Sequence, residues 1–404
     1  MDLESAWLKC KPSGESAGAI PETLLTLAQP ESSNVNARTV QLVKLLSELG
    51  PDIPEISRRL GQFKESVRYR YKEKIISRGF AVQAVVDHER LGLRRIVAII
   101  DFAEPFTRYA QSILASMNEL CFLVSFAKTM PAGYYVAQFS VPEDFVQDLK
   151  VFLKTLKDRQ LLTKMEILDF DWVRTAPMRA DSYDFDTGRW DFDWSNRTPQ
   201  DFGIAKFVPS AKSKYDSIDL LVIKELQMDA NKSLKEISDK IKVNYKKLAW
   251  HYASHVLARR LIRGYSVNWM GTRYDYGIEK VLHRQHRYSG AQLIVREPSE
   301  YELMSLRQEL NRIPFLWAES VGRNYAAFLT FPVDSVVEGL QYMTSAISKV
   351  KDKADIYFID ATDAASFTIP YSKFDTSMRK WIFDPVELAG RFEVLILEIK
   401  KGTD

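Results

Sequence analysis

The sequence predicts an α+β fold built from two copies of one unit, each a winged helix-turn-helix followed by a ferredoxin-like βαββαβ domain. Three observations predict it. The 404 residues exceed one ordinary domain. Two apolar patterns superimpose after a shift of 181 residues. Within each pattern, amphipathic helices give way to alternating strands and helices.

The internal repeat starts in the helical part and continues to the end of each unit. Tyr135 meets Tyr325 and Pro142 meets Pro332 once the shift has grown to about 190 residues. Chance matching of amphipathic patterns is easy over one helix but hard over such a length, so we infer a tandem duplication. The helical matches pair Leu42, Leu45, Ile53, Ile56, Leu60, Val67, Tyr71 and Ile75 with Ile223, Leu226, Leu234, Ile237, Ile241, Leu248, Tyr252 and Val256.

Three helices open each unit. Leu42 and Leu45 belong to a stripe at three- and four-residue spacing. The second helix has Pro54 in its first turn and ends at Gly61, and a third helix precedes the β-type run 80–86. This order predicts a winged helix-turn-helix whose wing is a strand hairpin. The second copy repeats it, with helices at 217–228, 233–241 and 244–260 and a wing at 261–269.

The remainder of each unit alternates strands and helices in the order βαββαβ, which favours an antiparallel sheet with both helices on one face. The predicted elements of copy one are 95–102, 108–120, 121–127, 134–141, 143–157 and 164–170. Those of copy two are 291–296, 300–311, 315–321, 325–331, 336–350 and 355–359.

These elements divide the chain into seven segments. They are a disordered tail (1–35, with one helical turn near Leu24 and Leu25), winged helix-turn-helix 1 (36–92), ferredoxin-like domain 1 (93–172), an acidic-aromatic linker (173–215), winged helix-turn-helix 2 (216–275), ferredoxin-like domain 2 (276–365) and a C-terminal segment (366–404). The tail is rich in Pro, Ser, Gly and Glu without a sustained period, which is typical of disorder.

Composition excludes several classes of protein. No apolar run reaches the roughly 18 residues of a membrane helix, and the start lacks a signal-peptide core. Two cysteines, Cys10 and Cys121, are too few for a disulfide framework or a four-thiolate zinc site. We therefore expect a cytoplasmic protein that has no membrane partner, cofactor or metal.

The positive charge is concentrated in two stretches. Residues 53–80 hold eight Lys/Arg against three Asp/Glu, and residues 232–263 hold nine against two. Together they carry +12, which leaves −9 for the rest of a chain whose total is +3. Both stretches fall on the second and third helices, where cations would neutralise DNA phosphates. We expect DNA contacts from Gln62, Lys64, Arg68, Arg70 and Lys72, and from Lys242, Asn244, Lys246, Lys247 and His251.

At this point the chain resembles the leucine-responsive regulator (Lrp/AsnC) family of bacterial and archaeal transcription regulators. The resemblance lies in the segments 216–219 (DSID), 229–233 (DANKS) and 78–80 (RGF), with Leu91-Gly92 further on. It covers about 36–170 and 216–360. Family members pair through their ferredoxin-like sheets, so two copies in one chain imply an internal pseudo-dimer whose domains pack sheet to sheet.

The resemblance implies a nucleoid-associated regulator that binds double-stranded DNA. Because the two recognition helices differ in sequence, we expect an asymmetric DNA site. It also implies a small-molecule effector at the interface of the ferredoxin-like domains, although neither copy shows a Gly-rich ligand loop. Further homo-oligomerisation is left open. On this interpretation the chain is not an enzyme.

Two alternatives remain. Siroheme decarboxylases share this two-domain plan and work as pairs of related subunits, so a fused pair would resemble this chain. Against this, the βαββαβ region shows no convincing His/Arg site, since copy one has no histidine between His88 and residue 216. The other alternative is an adaptor whose winged helices bind RNA or protein.

The remaining candidate sites are interpreted structurally. His251 and His255 have a metal-compatible spacing but no evident third ligand, and His283 and His286 have the same problem. The acidic, aromatic segment 181–194 has a counterpart at 374–384, so we interpret both as docking straps anchored by Trp190 and Trp381 rather than as catalytic sites.

Overall fold

The computed structural model describes residues 31–195, 211–270, 272–275, 278–281 and 288–401. These residues form a mixed α+β protein around a large antiparallel sheet. The first helix begins at Glu31, so the predicted tail extends a few residues too far. The rest of that tail, including the turn predicted near Leu24, lies outside the described residues. Within the described part, no helix has the length and hydrophobicity of a membrane span.

The described residues of the first half form five α-helices and eight strands. They are α1 (Glu31–Leu49), α2 (Ile53–Leu60), α3 (Lys64–Arg70), β1 (Ala81–Val86), β2 (Leu93–Phe102), α4 (Ala110–Cys121), β3 (Leu123–Met130), β4 (Tyr135–Pro142), α5 (Val146–Asp158), β5 (Leu162–Phe170), β6 (Trp172–Thr175), β7 (Tyr183–Asp184) and β8 (Arg189–Trp190).

The described residues of the second half follow the same order and add one C-terminal helix. They form α6 (Ser217–Met228), α7 (Leu234–Ile241), α8 (Tyr245–His251), β9 (Ile262–Asn268), β10 (Thr272–Asp275), β11 (Ile278–Val281), β12 (Tyr288–Val295), α9 (Glu300–Arg312), β13 (Leu316–Val321), β14 (Tyr325–Pro332), α10 (Val336–Ala346), β15 (Ala354–Ser366), β16 (Phe374–Asp375), β17 (Lys380–Trp381) and α11 (Pro385–Lys401).

Local sequence explains the ends of the short helices. The Asp52 carboxylate accepts the Glu55 amide at the start of α2, and Gly61 ends that helix in the left-handed region, as predicted. In the second half, Ser233 and Glu236 form a capping box that starts α7. The third helix of each half continues as a π-helical turn, Tyr71–Ile76 after α3 and Tyr252–Leu257 after α8.

The strand after each helical trio does not form the predicted wing hairpin. Instead β1 pairs antiparallel with β9, the corresponding strand of the other half, from Ala81–Asn268 to Val86–Ile262. The predicted wings are therefore wrong as local hairpins. Burial provides the reason: most side chains of both strands are enclosed, and pairing across the two halves satisfies backbone groups that would otherwise be buried without partners.

A glycine allows β9 to pack closely on α1. Gly264 has φ +147°, and a Cβ at this position would lie 2.7 Å from the Ser47 carbonyl oxygen. Any side chain would therefore clash with the helix backbone. The helical trio and the β1–β9 ribbon are thus held together at a contact that tolerates only glycine.

The main sheet has nine strands in the order β5-β2-β4-β3-β15-β12-β14-β13-β6. Four strands from each half give the order fourth-first-third-second, and all pairs are antiparallel. The halves join edge to edge where β15 runs past β12 and pairs with β3, from Phe358–Met130 to Ser366–Ser125. The expected sheet-to-sheet packing is corrected accordingly, because the long last strand makes one hydrogen-bonded sheet of the two.

The sheet also closes at its other end. Only Asp171 separates β5 from β6, yet these strands lie at opposite ends of the strand order, and the Asp171 amide donates to the Val321 carbonyl at 2.9 Å. A core that includes Val97, Ile99 and Ile294 fills part of the enclosed interior. Because strand side chains alternate, Ile96 and Ile100 face the helices instead and join the larger core.

A buried ion cluster fixes the β6–β13 contact. Glu319 is fully buried, and its carboxylate accepts two hydrogen bonds from Arg307 at 2.9 and 2.8 Å. Arg174 on β6 approaches the same carboxylate at 2.8 Å, and Tyr325 donates to it at 3.2 Å. The two halves are therefore joined here by a charge network in which each buried ion has a partner.

The two predicted straps form the short hairpins β7–β8 and β16–β17. The prediction that tryptophans anchor them is confirmed. Trp381 is buried and its Nε1 donates to the Leu91 carbonyl at 3.0 Å. Trp190 is half-buried and packs edge-on against Trp269 and Phe315. Each strap crosses from its own half onto the other, which lengthens the interface between them.

Candidate functional site in the central cavity

A cavity of about 390 Å³ lies between the two halves, within the range of small-molecule sites. Its walls come from the β1–β9 ribbon and from the inner faces of both sets of sheet strands, and we call it the central cavity. The polar residues that line it include Gln83, His88, Glu89, Arg95, Gln138, Gln292 and Thr330. Both halves therefore contribute side chains to one enclosed space.

His88 follows β1 and lies at the edge of this cavity. Its Nδ1 atom is 2.7 Å from the Ser140 hydroxyl, which is itself fully buried on β4. Burial, with further contributions from Arg95 and Arg263, holds the pKa of the imidazole well below its usual value. The ring is therefore neutral near pH 7, and it still exposes some surface because it lines the cavity.

Arg95 supplies positive charge inside the cavity. It is half-buried on β2, and its Nη1 donates to Gln138 Oε1 on β4 at 3.0 Å. The neighbouring Arg94 lies on the opposite face of the strand and pairs with Asp171 and Glu143. Among the cavity-lining residues that the structure describes, Arg95 is the sole arginine or lysine. An anionic group of a ligand would therefore bind here.

An acidic group flanks the histidine. Asp87 is buried and pairs with Arg263 of β9 at 2.8 Å, and Arg263 also contacts Glu89. Burial raises the pKa of Glu89, although Arg263 opposes the effect. Arg263 thus neutralises acids of the first half from the second half and fixes the loop that carries His88.

Two buried polar atoms in the cavity wall have no hydrogen-bond partner within the described part of the chain. They are Gln83 Nε2 and Thr330 Oγ1, in side chains that are 7% and 2% exposed. A buried polar group without a partner costs about 1–3 kcal/mol. Together with the cavity, these atoms indicate that a polar ligand or ordered water completes the site.

Three polar residues of the first half have counterparts of another kind at the equivalent positions of the second half. On β2 and β4, Arg95 is opposite Ser140, and the equivalent register on β12 and β14 places Gly290 opposite Thr330. The position of Gln138 corresponds to Phe328, and the position of His88 corresponds to Trp269, each eight residues after the equivalent Phe80 and Leu261. The second half therefore holds a glycine, Phe328 and Trp269 where the first half holds Arg95, Gln138 and His88.

The predicted DNA contacts of copy one lie on or next to α3. Lys64, Arg68 and Lys72 are exposed, but Arg68 pairs with Glu65 at 2.7 Å. Arg70 is half-buried and donates to Gln62 at 2.8 Å. This side of the protein also exposes Phe63 and Tyr69, which are 87% and 69% accessible. Part of the positive charge of α3 is thus compensated by Glu65 of the same helix.

In copy two the exposed predicted contacts are Lys242, Lys246 and Lys247. Asn244 is also exposed, but its side-chain oxygen caps α8 by accepting the Lys246 and Lys247 amides. His251 is wrong as a DNA contact, because it is only 4% exposed and its Nδ1 lies 2.8 Å from buried Asp219. His283 and His286 lie outside the described residues.

Sequence reasoning missed the cavity residues. A signal was present in Arg94-Arg95, since two successive arginines in a strand place one on each face. His88 precedes β2 and therefore lies outside the βαββαβ region, where the sequence predicts any His/Arg pair, yet it lines the cavity. The fold therefore brings a histidine and an arginine to one cavity, although the βαββαβ region itself contains no such pair.

No protein-family model and no curated protein matches this chain. Among solved structures, it is similar to the siroheme decarboxylase NirDL at 11% identity and a TM-score of 0.50, with 90% of this chain and 99% of that chain covered. A complex of NirDL with an iron-uroporphyrin III analogue is similar at 11% identity and a TM-score of 0.46, with 81% and 90% covered.

At this identity the similarity establishes a shared fold. It contradicts the prediction that the chain is not an enzyme, because the structure that shares the fold over nearly its whole length is an enzyme.

Proposed function

We propose that this chain is an enzyme whose active site is the central cavity, and that it decarboxylates a carboxylate side chain of a tetrapyrrole. The observation that carries the proposal is the combination of His88, Arg95 and Gln138 with an apolar wall in a cavity between the halves. The fold shared with a siroheme decarboxylase supports the substrate class.

Arg95 would orient the substrate rather than bind the carboxylate that reacts. A guanidinium that holds the reacting carboxylate stabilises the ground state and slows loss of CO₂. We assign it instead to a second carboxylate of the same molecule, which its fork can bind through paired hydrogen bonds. The described wall of the cavity carries one cation, Arg95, so it would bind few of the carboxylates of the substrate. The remaining carboxylates of the substrate would point outward.

The reacting carboxylate would face the apolar part of the wall, formed by Val97, Phe126, Val136 and Phe328. Removal of water from a carboxylate favours its conversion to neutral CO₂. The electron pair left on carbon then takes a proton, so one C–C bond breaks and one C–H bond forms. His88 is the group placed to deliver it, and a nearby substrate anion would raise the lowered pKa of its imidazole.

The direct test is an anaerobic incubation of the full chain with siroheme. We expect products that have lost one CO₂ per event, measured by mass spectrometry, together with a visible absorption band from bound tetrapyrrole. The variant His88→Gln should retain the bound absorption band but lose at least about 100-fold in turnover, the usual contribution of a positioned proton donor. Neither binding nor conversion of siroheme by the wild-type chain would disprove the assignment.

We further propose that each half is a winged helix-turn-helix joined to a ferredoxin-like domain, that the halves arose by tandem duplication, and that the chain belongs to the Lrp/AsnC-like superfamily. The equal element order and the equal strand order of the halves support this. On this view β1 and β9 are strands of former wings, and the polar site was kept in one half only.

A second candidate function, binding to double-stranded DNA, rests on the N-terminal end of α8. Lys246 and Lys247 are exposed there, and none of the ion pairs between described residues involves them. We propose these two lysines, with Lys242, as phosphate contacts, because the end of a helix can approach the backbone closely. The weaker candidates are Lys64, Arg68 and Lys72 in the first half, where Glu65 competes for Arg68.

The double variant Lys246→Ala/Lys247→Ala tests this function. If both lysines contact phosphates, the affinity for a DNA duplex should fall. The negative slope of log K against log salt should become shallower by about 2, as measured by fluorescence anisotropy. Lys235→Ala is the matched control, since Lys235 is equally exposed but paired with Asp239 on α7. Equal affinity of the wild type and the double variant would exclude α8 as a DNA contact.

A further inference from the structure

A cluster of two histidines and two aspartates lies outside the lining of the central cavity. Asp216 and Asp219 come from the start of α6, and His251 and His255 come from α8 and its π-helical continuation. One potential ligand atom from each residue lies within 4.8 Å of the other three. We call these four residues the His-Asp cluster.

Three of the separations between potential ligand atoms are close to those of a tetrahedral metal site. Nδ1 of His251 is 2.8 Å from Asp219 Oδ1 and 3.6 Å from Asp216 Oδ1. Nδ1 of His255 is 3.0 Å from Asp219 Oδ2. A tetrahedral ion with bonds near 2.0–2.2 Å holds its ligand atoms roughly 3.3 Å apart. Binding of an ion therefore requires the shorter separations to open by a few tenths of an ångström and the widest, which reach up to 4.8 Å, to close.

The surroundings hold these ligands in place. His251 and Asp219 are buried at 4% and 0% exposure. Asp216 Oδ1 accepts the Ile218 amide at 2.9 Å, and Asp219 Oδ2 accepts the Asp216 amide at 2.9 Å, so both carboxylates have backbone partners. Trp250 packs edge-on over both imidazoles, with ring centroids 5.1 and 4.6 Å away, and covers the cluster with apolar surface.

The cluster is specific to the second half. After the shift of 181 residues, the matching positions of the first half hold Val35, Arg38, Arg70 and Lys74. Three of these four are cations, which cannot bind a metal ion. The duplicated fold therefore does not need the His-Asp cluster for its packing, since the first half builds the same helices without it.

We propose that the His-Asp cluster binds one divalent transition-metal ion of the zinc class. Two imidazole nitrogens and two carboxylate oxygens are the borderline donor set that Zn²⁺ and Co²⁺ accept. The ion would connect the start of α6 to the end of the third helix of the second half. It would thereby fix the orientation of α8, the helix that carries Lys246 and Lys247.

The test uses full-length protein freed of metal by a chelator and titrated with Co²⁺ and with Zn²⁺. We expect one ion per chain by calorimetry, and visible Co²⁺ bands of the intensity typical of tetrahedral coordination. His255→Gln should weaken Zn²⁺ binding by at least about 100-fold, more than the loss of an outer partner causes. Ser254→Ala, on the same turn, is the matched control and should bind Zn²⁺ as the wild type does.

Two further variants keep the result decisive. Asp216 is 37% exposed, so Asp216→Asn tests a ligand with little risk to folding, and we expect weaker Zn²⁺ binding. His283→Gln/His286→Gln removes the other imidazole pair in this half and should leave the stoichiometry at one. Absence of metal binding by the wild type, or loss of binding only in the His283/His286 variant, would overturn the proposal.

Discussion

Replacement of Arg95 by leucine is expected to weaken the binding of a tetrapyrrole carboxylate about 10- to 150-fold. A hydrogen-bonded pair with a charged partner contributes about 1.5–3 kcal/mol, and each 1.4 kcal/mol is tenfold. Arg95 is the sole arginine or lysine on the described cavity wall, so no neighbouring cation there replaces it. The measurement is a titration with siroheme followed by quenching of tryptophan fluorescence, since Trp317 lines the cavity.

Arg94→Leu is the matched control for this experiment. It removes an arginine from the adjacent position of the same strand, but on the face that pairs with Asp171 and Glu143. We expect binding to be unchanged in Arg94→Leu. If the two variants lost affinity equally, the effect would be one of net charge, and the assignment of Arg95 to the substrate would be incorrect.

The substitution Glu319→Gln is expected to lower the free energy of unfolding by about 3–5 kcal/mol. It removes the only charge that compensates Arg307 and Arg174 in the described ion pairs at this contact, and both arginines are largely buried. Arg307 of α9 and Arg174 of β6 would then both lose the carboxylate that they contact. Urea unfolding of the full chain, followed by circular dichroism, measures the loss.

Two comparisons separate this effect from a general loss of packing. The double variant Glu319→Gln/Arg307→Met should recover part of the stability, because it removes one of the two uncompensated cations. Arg312→Ala, which breaks an ion pair with Glu309 that is partly exposed, should cost less than about 1 kcal/mol. If Glu319→Gln were as mild as Arg312→Ala, the ion cluster would not hold the two halves together.

The two halves differ in the residues that they hold at equivalent positions. Arg95 corresponds to Gly290 and Gln138 to Phe328 at equivalent sheet positions. In the helical trio the second half holds the histidine instead, because His255 corresponds to Lys74 of the first half. At each of these places the two halves therefore hold side chains of different chemistry.

Local sequence determined the elements well. The predicted strand 325–331 is found as Tyr325–Pro332, and the predicted helix 300–311 is found as Glu300–Arg312. These elements follow from periods of two and 3.6 residues and from capping groups, which are properties of neighbouring residues. Where the pattern was locally correct but the partner was distant, as for β1 and β9, the prediction of a hairpin failed.

The sequence by itself thus determined the helices and the strands, since each depends on interactions between residues near one another in the chain. The tertiary structure alone decided which strands pair across the halves, and it brought His88 beside Ser140 and Asp219 between His251 and His255. These groups are separated by about 30 to 50 residues in the chain. Their proximity therefore depends on how the elements pack, and no short-range periodicity in the sequence indicates it.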